Sequence, residues 1–239
     1  MNILIPMAGL GSRFPSHTYP MPKPLIEVNG KPMIAKAIQS LNLEGNYFFV
    51  LAKNQFTELV KETIQSLKPG SKFFEIDYVT EGPANSALLF RNEIDNDQEL
   101  IIANCDQIME WNSANFLHNV RLYDGAVVTY HTDTDKNSYA RLDKNGMVVE
   151  IREKEVISNV SLNGIHYWKK GSTFVSSADK MIELQDRAPN GEFYIGPTFN
   201  HMIKQGLKVG IYHIPNEQHH PVGVPDDLKK YLEHEKKKS

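Results

Sequence analysis

The sequence predicts an α/β fold: a mostly parallel central sheet with crossover helices, extended by a smaller part made of mixed strands. Three observations predict it. Short apolar runs alternate with helical patterns across residues 1–110. The first of those runs empties into a long loop rich in glycine and proline. Beyond residue 110 the pattern changes to strands joined by tight turns.

The elements follow in order. Asn2–Pro6 reads as a strand and Gly9–Pro24 as the long loop. Lys31-Pro32-Met33 opens a helix to about Leu41, with proline near its first turn, where a missing N–H costs nothing. Tyr47–Ala52 is a strand, Gln55–Leu67 a helix and Phe73–Val79 a strand. Ala84–Arg91 is a short helix after a Gly-Pro turn, and Leu100–Ala103 is a strand ending at Asn104-Cys105-Asp106. In the second half Gly125–His131, Tyr139–Leu142 and Val148–Arg152 are strands, the last two joined by Lys144-Asn145-Gly146. Leu162–Trp168 is a strand, Ser172–Gln185 and Thr198–Lys204 are helices, Lys208–Ile214 is a strand and Asp226–His234 a helix. A single domain over 1–239 is expected, with 1–110 as a nucleotide-binding half and 111–239 as a substrate-binding half.

Composition excludes several classes. The 239 residues are 41% hydrophobic, enough for a packed core. A net charge of −3, from 26 basic and 29 acidic side chains, leaves no electrostatic footprint for nucleic acid. The basic run Lys236, Lys237 and Lys238 reads as a frayed, solvated tail. One cysteine, Cys105, rules out an internal disulfide and any multi-cysteine metal site; inside an apolar stretch it reads as a small core residue. Met1–Pro6 lacks the charged start and long apolar core of a signal peptide. No stretch approaches the roughly 18–20 apolar residues of a membrane span. A cytoplasmic protein without membrane partners is expected.

The strongest local signal is the run Leu4 to Phe14, followed by Pro22-Lys23-Pro24-Leu25. A strand feeds a loop with glycines two apart, Gly9 and Gly11, which lets backbone N–H groups close on a phosphate. Arg13 adds a planar fork that grips phosphate oxygens in pairs. Lys23 adds a second charge, held between two prolines. Phe14 stands where a dinucleotide fingerprint needs its third glycine, and the Gly-Lys-Ser/Thr ending of a Walker loop is absent.

This stretch resembles the signature of the sugar-phosphate nucleotidylyltransferases: a strand, Gly-x-Gly-Ser/Thr-Arg, then Pro-Lys-Pro after a gap. The chain matches at Gly9, Gly11, Ser12, Arg13, Pro22, Lys23 and Pro24. The resemblance implies a Rossmann-like fold of the type shared with glycosyltransferases. It implies a loop that wraps a nucleoside triphosphate through Met7, Ala8, Gly9, Gly11 and Ser12, and makes Arg13 and Lys23 the catalytic charges on the reacting phosphates. Glu81-Gly82-Pro83-Ala84 lies where the family has a Gly-Thr-Ala turn touching the base, with Pro83 in place of threonine. Glu81, Gly82, Ala84 and Asn85 are thereby base-side residues; taken alone, Asn85 and Ser86 are equally a solvent-facing helix start. Asn104-Cys105-Asp106 resembles the family's Asn-x-Asp at the end of a central strand, where open α/β sheets bind ligands, and assigns Asp106 to Mg²⁺.

Farther along, Tyr139-Ala140, Gly146 and Glu153-Lys154 resemble the family's Tyr-Gly … Gly … Glu-Lys-Pro. The resemblance assigns Tyr139, Glu153, Lys154, Asn163 and Gly164 to the acceptor, with Glu153 on sugar hydroxyls and Lys154 on the acceptor phosphate. Glu192–Pro197 either lines that pocket or is a packed loop. His219 through Pro225 resembles the family's Trp-x-Asp-x-Gly-Thr-Pro, but Pro221 stands where the second metal aspartate belongs. Either one carboxylate suffices, or His220 or Asp226 contributes. The His219-His220 pair is a poor chelate in a strand and has no third ligand evident in the sequence, so zinc is not expected.

The implied activity moves a nucleoside monophosphate from a triphosphate, expected to be a pyrimidine, to a sugar 1-phosphate or similar phosphorylated small molecule, with release of pyrophosphate. The partners are those two substrates and the cofactor is Mg²⁺. Two other readings stay open: a non-catalytic sensor of nucleotide or sugar phosphate, to which the missing second aspartate points but against which intact Arg13, Lys23 and Asp106 argue, and a glycosyltransferase, disfavoured by Gly-x-Gly-Ser-Arg with Pro-Lys-Pro. Which of CTP, UTP or dTTP is used, the acceptor and the oligomeric state are not readable from these residues.

Overall fold

The computed structural model describes residues 1–9 and 11–238. Strand β1 (Asn2–Met7) is followed by the long loop and a two-residue ribbon, β2 (Glu27–Val28) with β3 (Lys31–Pro32), before α1 (Met33–Leu41). Then come β4 (Asn46–Ala52), α2 (Thr57–Leu67), β5 (Lys72–Ile76), α3 (Pro83–Leu88), α4 (Arg91–Ile94), β6 (Leu100–Ala103), β7 (Gln107–Met109) and α5 (Ser113–Val120). The rest runs β8 (Gly125–His131), β9 (Ser138–Leu142), β10 (Val148–Glu153), β11 (Val160–Trp168), α6 (Gly171–Glu183), α7 (Thr198–Lys204), β12 (Val209–His213), β13 (His219–Pro221) and α8 (Pro225–Lys238).

The expected α/β architecture is present. Strands β6, β1, β4 and β5 lie side by side and parallel, joined by helices. β1 is buried on both faces along nearly its whole length, which is why its sequence is a continuous apolar run rather than an alternation. The sheet continues antiparallel through β11, which pairs with β6, β8 and β9, and ends at β10; β12 joins β8 in parallel. Alternate residues of the central strands feed two apolar layers. Leu4, Val50 and Ile102 meet α3, α6 and α7 on one face; Ile5, Leu51 and Ile101 meet α1, α2 and α5 on the other. Trp168, fully buried, stacks on Phe199 with centroids 4.5 Å apart.

A third, smaller core explains how the loops are held. Phe14, Ile26, Val28, Met33, Ile108, Val222, Leu228 and Tyr231 pack together away from the sheet. Phe14 therefore has a packing role at the position where a dinucleotide loop would carry glycine.

Several boundaries differ from expectation. Lys31 and Pro32 belong to the β2–β3 ribbon rather than to α1, and the strand expected to reach Val79 ends at Ile76. The helix expected over Ala84–Arg91 is two short pieces, α3 and α4. The sequence reading passed over α5, β7 and β13; the last two form an antiparallel ribbon with Gln107 opposite Pro221. The basic tail does not fray by itself: α8 continues through Lys238, whose ammonium lies on the Glu110 carboxylate. Among the described residues, no helix is long and apolar enough to cross a membrane.

Candidate functional site

The C-terminal ends of β1 and β6 open into one cleft of about 360 Å³, within the size range of small-molecule sites. Its walls are Pro6, Met7, Gly9, Gly11, Ser12, Arg13, Lys23, Pro24, Asn104, Cys105, Asp106 and Gly223. The fold thus collects in one place Met7, Gly9, Gly11, Ser12, Arg13, Lys23 and Asp106, which the sequence singled out across a hundred residues. The loop is shaped by a turn in which the Phe14 N–H donates to the Gly11 carbonyl at 3.0 Å. Gly11 has φ +63°, and a Cβ there would stand 3.2 Å from the Lys23 Cβ. Buried Phe14, packed edge-on against Tyr19 at 4.9 Å, pins the turn, while Ser12 and Arg13 stay exposed.

At the cleft floor the Lys23 ammonium pairs with Asp106 Oδ2. Burial pulls the lysine pKa down, but the Asp106 charge and hydrogen bond outweigh it, and the net direction is up. Cys105 is buried and free, as expected, and burial pushes its thiol up to about 11, so it offers no thiolate at neutral pH. Gly223 comes so close to Asp106 that an added Cβ would collide with the carboxylate. The Val222 N–H donates to the Asp106 carbonyl at 2.9 Å, so the β7–β13 ribbon is what aims this aspartate. Pro221 lies on that ribbon and brings no second carboxylate. His220 faces Glu110, 3.0 Å from its Nε2, rather than Asp106. His219 is buried against Tyr130 and bonded to Gln107; burial lowers its pKa to about 4, which keeps it neutral.

The residues assigned to an acceptor lie outside the cleft lining. Glu153, at the end of β10, is buried; burial raises its pKa, and Ser138 donates a hydrogen bond to it. Lys154 follows in the left-handed region, φ 56°, a conformation that costs a non-glycine residue about 1–2 kcal/mol. Its Nζ donates to the Tyr194 hydroxyl at 2.7 Å and sits 5.0 Å over that ring. Tyr194 in turn donates to Glu192 at 2.6 Å. Within Glu192–Pro197, Phe193 and Ile195 are packed core, while the Tyr194 hydroxyl links Glu192 to Lys154. Asn163 is buried, its Oδ1 accepting from the Ile165 N–H at 3.0 Å. Gly164, φ +94°, presses on the Asn104 side chain and so joins this region to the end of β6. Tyr139 is buried with its hydroxyl on the Thr134 carbonyl, which leaves its ring no exposed face.

The turn at 81–85, assigned to the base by the resemblance, leans on the same segment. The Phe193 N–H donates to the Glu81 carbonyl at 2.9 Å and the Ala84 N–H to the Phe193 carbonyl at 3.0 Å. Gly82, φ +139°, has no room for a Cβ against the Phe193 backbone. Arg187 pairs with Glu81 and lies 4.1 Å over the Phe193 ring. Asn85 Oδ1 is buried without a hydrogen-bond partner in the protein, which argues against a solvent-facing helix start. Sequence reasoning missed Ser138, Arg187 and Gly223; only for Gly223 was there a signal, its place in the resembling Gly-x-Pro stretch.

A family model described as nucleotidyl transferase matches residues 3–213. Mannose-1-phosphate guanyltransferase of Schizosaccharomyces pombe is 26% identical over 201 residues, covering 82% of this chain and 49% of that protein. The bifunctional protein GlmU of Methanocaldococcus jannaschii is 27% identical over 241 residues, covering 97% of this chain and 54% of that protein. The chain thus spans about half the length of these two relatives. The nucleoside-diphosphate-sugar pyrophosphorylase of Vibrio cholerae RC9 shares the fold, with a TM-score of 0.84 at 21% identity, covering 97% of this chain and 99% of that one.

Proposed function

This chain belongs to the nucleotidyl transferase family, and from that premise we propose that it passes a nucleoside monophosphate from a triphosphate to a sugar 1-phosphate or similar phosphorylated small molecule. The observation that carries the reading is the cleft in which the Gly9–Gly11 loop, Arg13 and the Lys23–Asp106 pair converge at the C-terminal edge of the sheet. An acceptor phosphate oxygen attacks the α-phosphorus, the bond to the bridging oxygen of the β-phosphate breaks, and pyrophosphate leaves with that electron pair. The acceptor needs no protein base, because a phosphate dianion is already deprotonated near neutral pH. The work of the protein is to hold two polyanions in line and to offset their charge.

Arg13 and the loop N–H groups bear on the triphosphate. Lys23, partnered by Asp106 in the protein alone, turns its charge to the phosphates. The donor set fits Mg²⁺: Asp106 is a carboxylate lining the cleft, and this ion takes one or two carboxylates together with phosphate oxygens and water. Bound there, the ion neutralises phosphate charge. Lys154, with Glu153 beside it, receives the acceptor phosphate, and the 81–85 turn receives the base. Residues 1–110 then serve the nucleotide and 111–239 the acceptor.

Pro221 favours one rival, a sensor that binds both molecules and transfers nothing. Pyrophosphate release, assayed over a panel of triphosphates and phosphorylated acceptors with Mg²⁺, separates the two: saturable binding of both substrates with no pyrophosphate supports the sensor. The same panel decides the base. The sequence favours a pyrimidine, whereas one relative is named a guanyltransferase.

A further inference from the structure

Outside the cleft, three metal-binding side chains from three separate elements converge. Glu110 follows β7, His220 is in β13 and His234 is on α8. Glu110 Oε1 is 3.0 Å from His220 Nε2 and 3.2 Å from His234 Nε2, and the three ligand atoms lie within 4.8 Å of one another. We propose that Glu110, His220 and His234 form a site for a divalent transition-metal ion of the Zn²⁺ class, separate from the Asp106 site.

Four observations support this. A tetrahedral ion held about 2.0–2.1 Å from imidazole nitrogen and carboxylate oxygen places its ligands about 3.3 Å apart. Two of the three edges of that triangle are already near this spacing. His220 Nε2 is fully buried and, although close to Glu110, is too misaligned for a hydrogen bond, so a buried lone pair lacks a partner. The Lys238 ammonium, one turn beyond His234, lies on both Glu110 oxygens and marks the spot as one that holds positive charge. Finally, two imidazoles and one carboxylate suit zinc, cobalt or nickel, whereas Mg²⁺ and Ca²⁺ call for oxygen donors.

The sequence hid the site because it offered only the adjacent pair His219-His220, a poor chelate, and these two neighbours point apart. The true partner of His220 lies fourteen positions on, on another element. The ion takes the place of the Lys238 ammonium, keeps one position for water, and ties α8 to the ribbon that carries Asp106 at its other end.

The test uses the full chain, stripped of affinity tag and treated with chelator, then titrated with Co²⁺ and back-titrated with Zn²⁺. One equivalent of Co²⁺ is expected to give the visible absorption of a four-coordinate nitrogen–oxygen site, and Zn²⁺ to bleach it. His234→Gln and His220→Gln, each checked for native circular dichroism, should weaken binding by more than the roughly 10–100-fold that loss of an outer-shell partner costs. Lys238→Ala should tighten it by removing the competing charge. Asp106→Asn should keep the band, so the result stands apart from the fate of the transferase reading. Absence of saturable binding in the unmodified chain, or unchanged binding in a folded His234→Gln variant, overturns the proposal and leaves the cluster as ion pairing on Glu110.

Discussion

Lys23 and Asp106 neutralise each other in the protein alone; the proposed transfer requires each to exchange that partner, Lys23 for phosphate and Asp106 for metal. Asp106→Asn keeps the shape and removes the charge; it should abolish Mg²⁺-dependent pyrophosphate release while the circular dichroism stays native. An unchanged Mg²⁺ dependence in that variant would make Asp106 structural. Arg13 is exposed at the cleft mouth, free to close on a ligand. Arg13→Lys loses the paired contact and should slow turnover by about 10²–10³, the usual cost of one preorganised charge contact; near-normal turnover removes Arg13 from the reaction. Glu153 gives a pH signature. Its folded pKa lies above the ordinary 4.5, so the folded state binds its proton more tightly than the unfolded chain does. The stabilising contribution is therefore present at low pH and lost as pH rises from 4.5 through the folded value. Glu153→Gln should flatten that loss, measured by denaturant unfolding at about pH 4 and about pH 8, while weakening acceptor binding. A variant with the wild-type pH slope refutes the account.

Two glycines show how elements, rather than single side chains, set the site. Gly223, two residues past the β7–β13 ribbon, lies against the Asp106 carboxylate, and even a methyl there displaces it. Gly223→Ala should therefore imitate Asp106→Asn in activity with little change in melting temperature; normal activity would show that the carboxylate moves without consequence. Gly82 has the opposite profile. Its φ of +139° and its contact with the Phe193 backbone hold the 81–85 turn onto the 192–197 segment. Gly82→Ala should cost about 1–3 kcal/mol in stability, seen as a lower melting temperature, together with weaker triphosphate binding.

Across the whole molecule, Lys23 lies in the loop after β1 and Lys154 just past β10, with β9, β11 and β6 between those strands and Gly164 against Asn104 joining β11 to the end of β6. If the halves divide the substrates, Lys23→Ala should weaken triphosphate binding in the absence of acceptor. Lys154→Ala should leave that binding nearly intact and raise the acceptor KM. Calorimetric titration with triphosphate, then kinetics with both substrates, reads the crossover. Equal loss of triphosphate binding in both variants would mean that the two lysines share one phosphate site.

What the sequence by itself determined is local and ordered along the chain. The buried apolar runs of the parallel strands and the glycine loop were legible because strand burial and phosphate-loop geometry constrain neighbouring residues, and Lys23 and Asp106 were each singled out by the family resemblance, though not as a pair. The tertiary structure alone decided which distant residues meet. The β7–β13 ribbon is two runs of three residues, too short for any periodicity to announce, yet it aims Asp106. Phe14 became an anchor only because Val222 and Tyr231 arrive from the other end of the chain. His220 found Glu110 and His234 instead of its neighbour because alternate residues of a strand face opposite ways, and packing chooses what stands on each side.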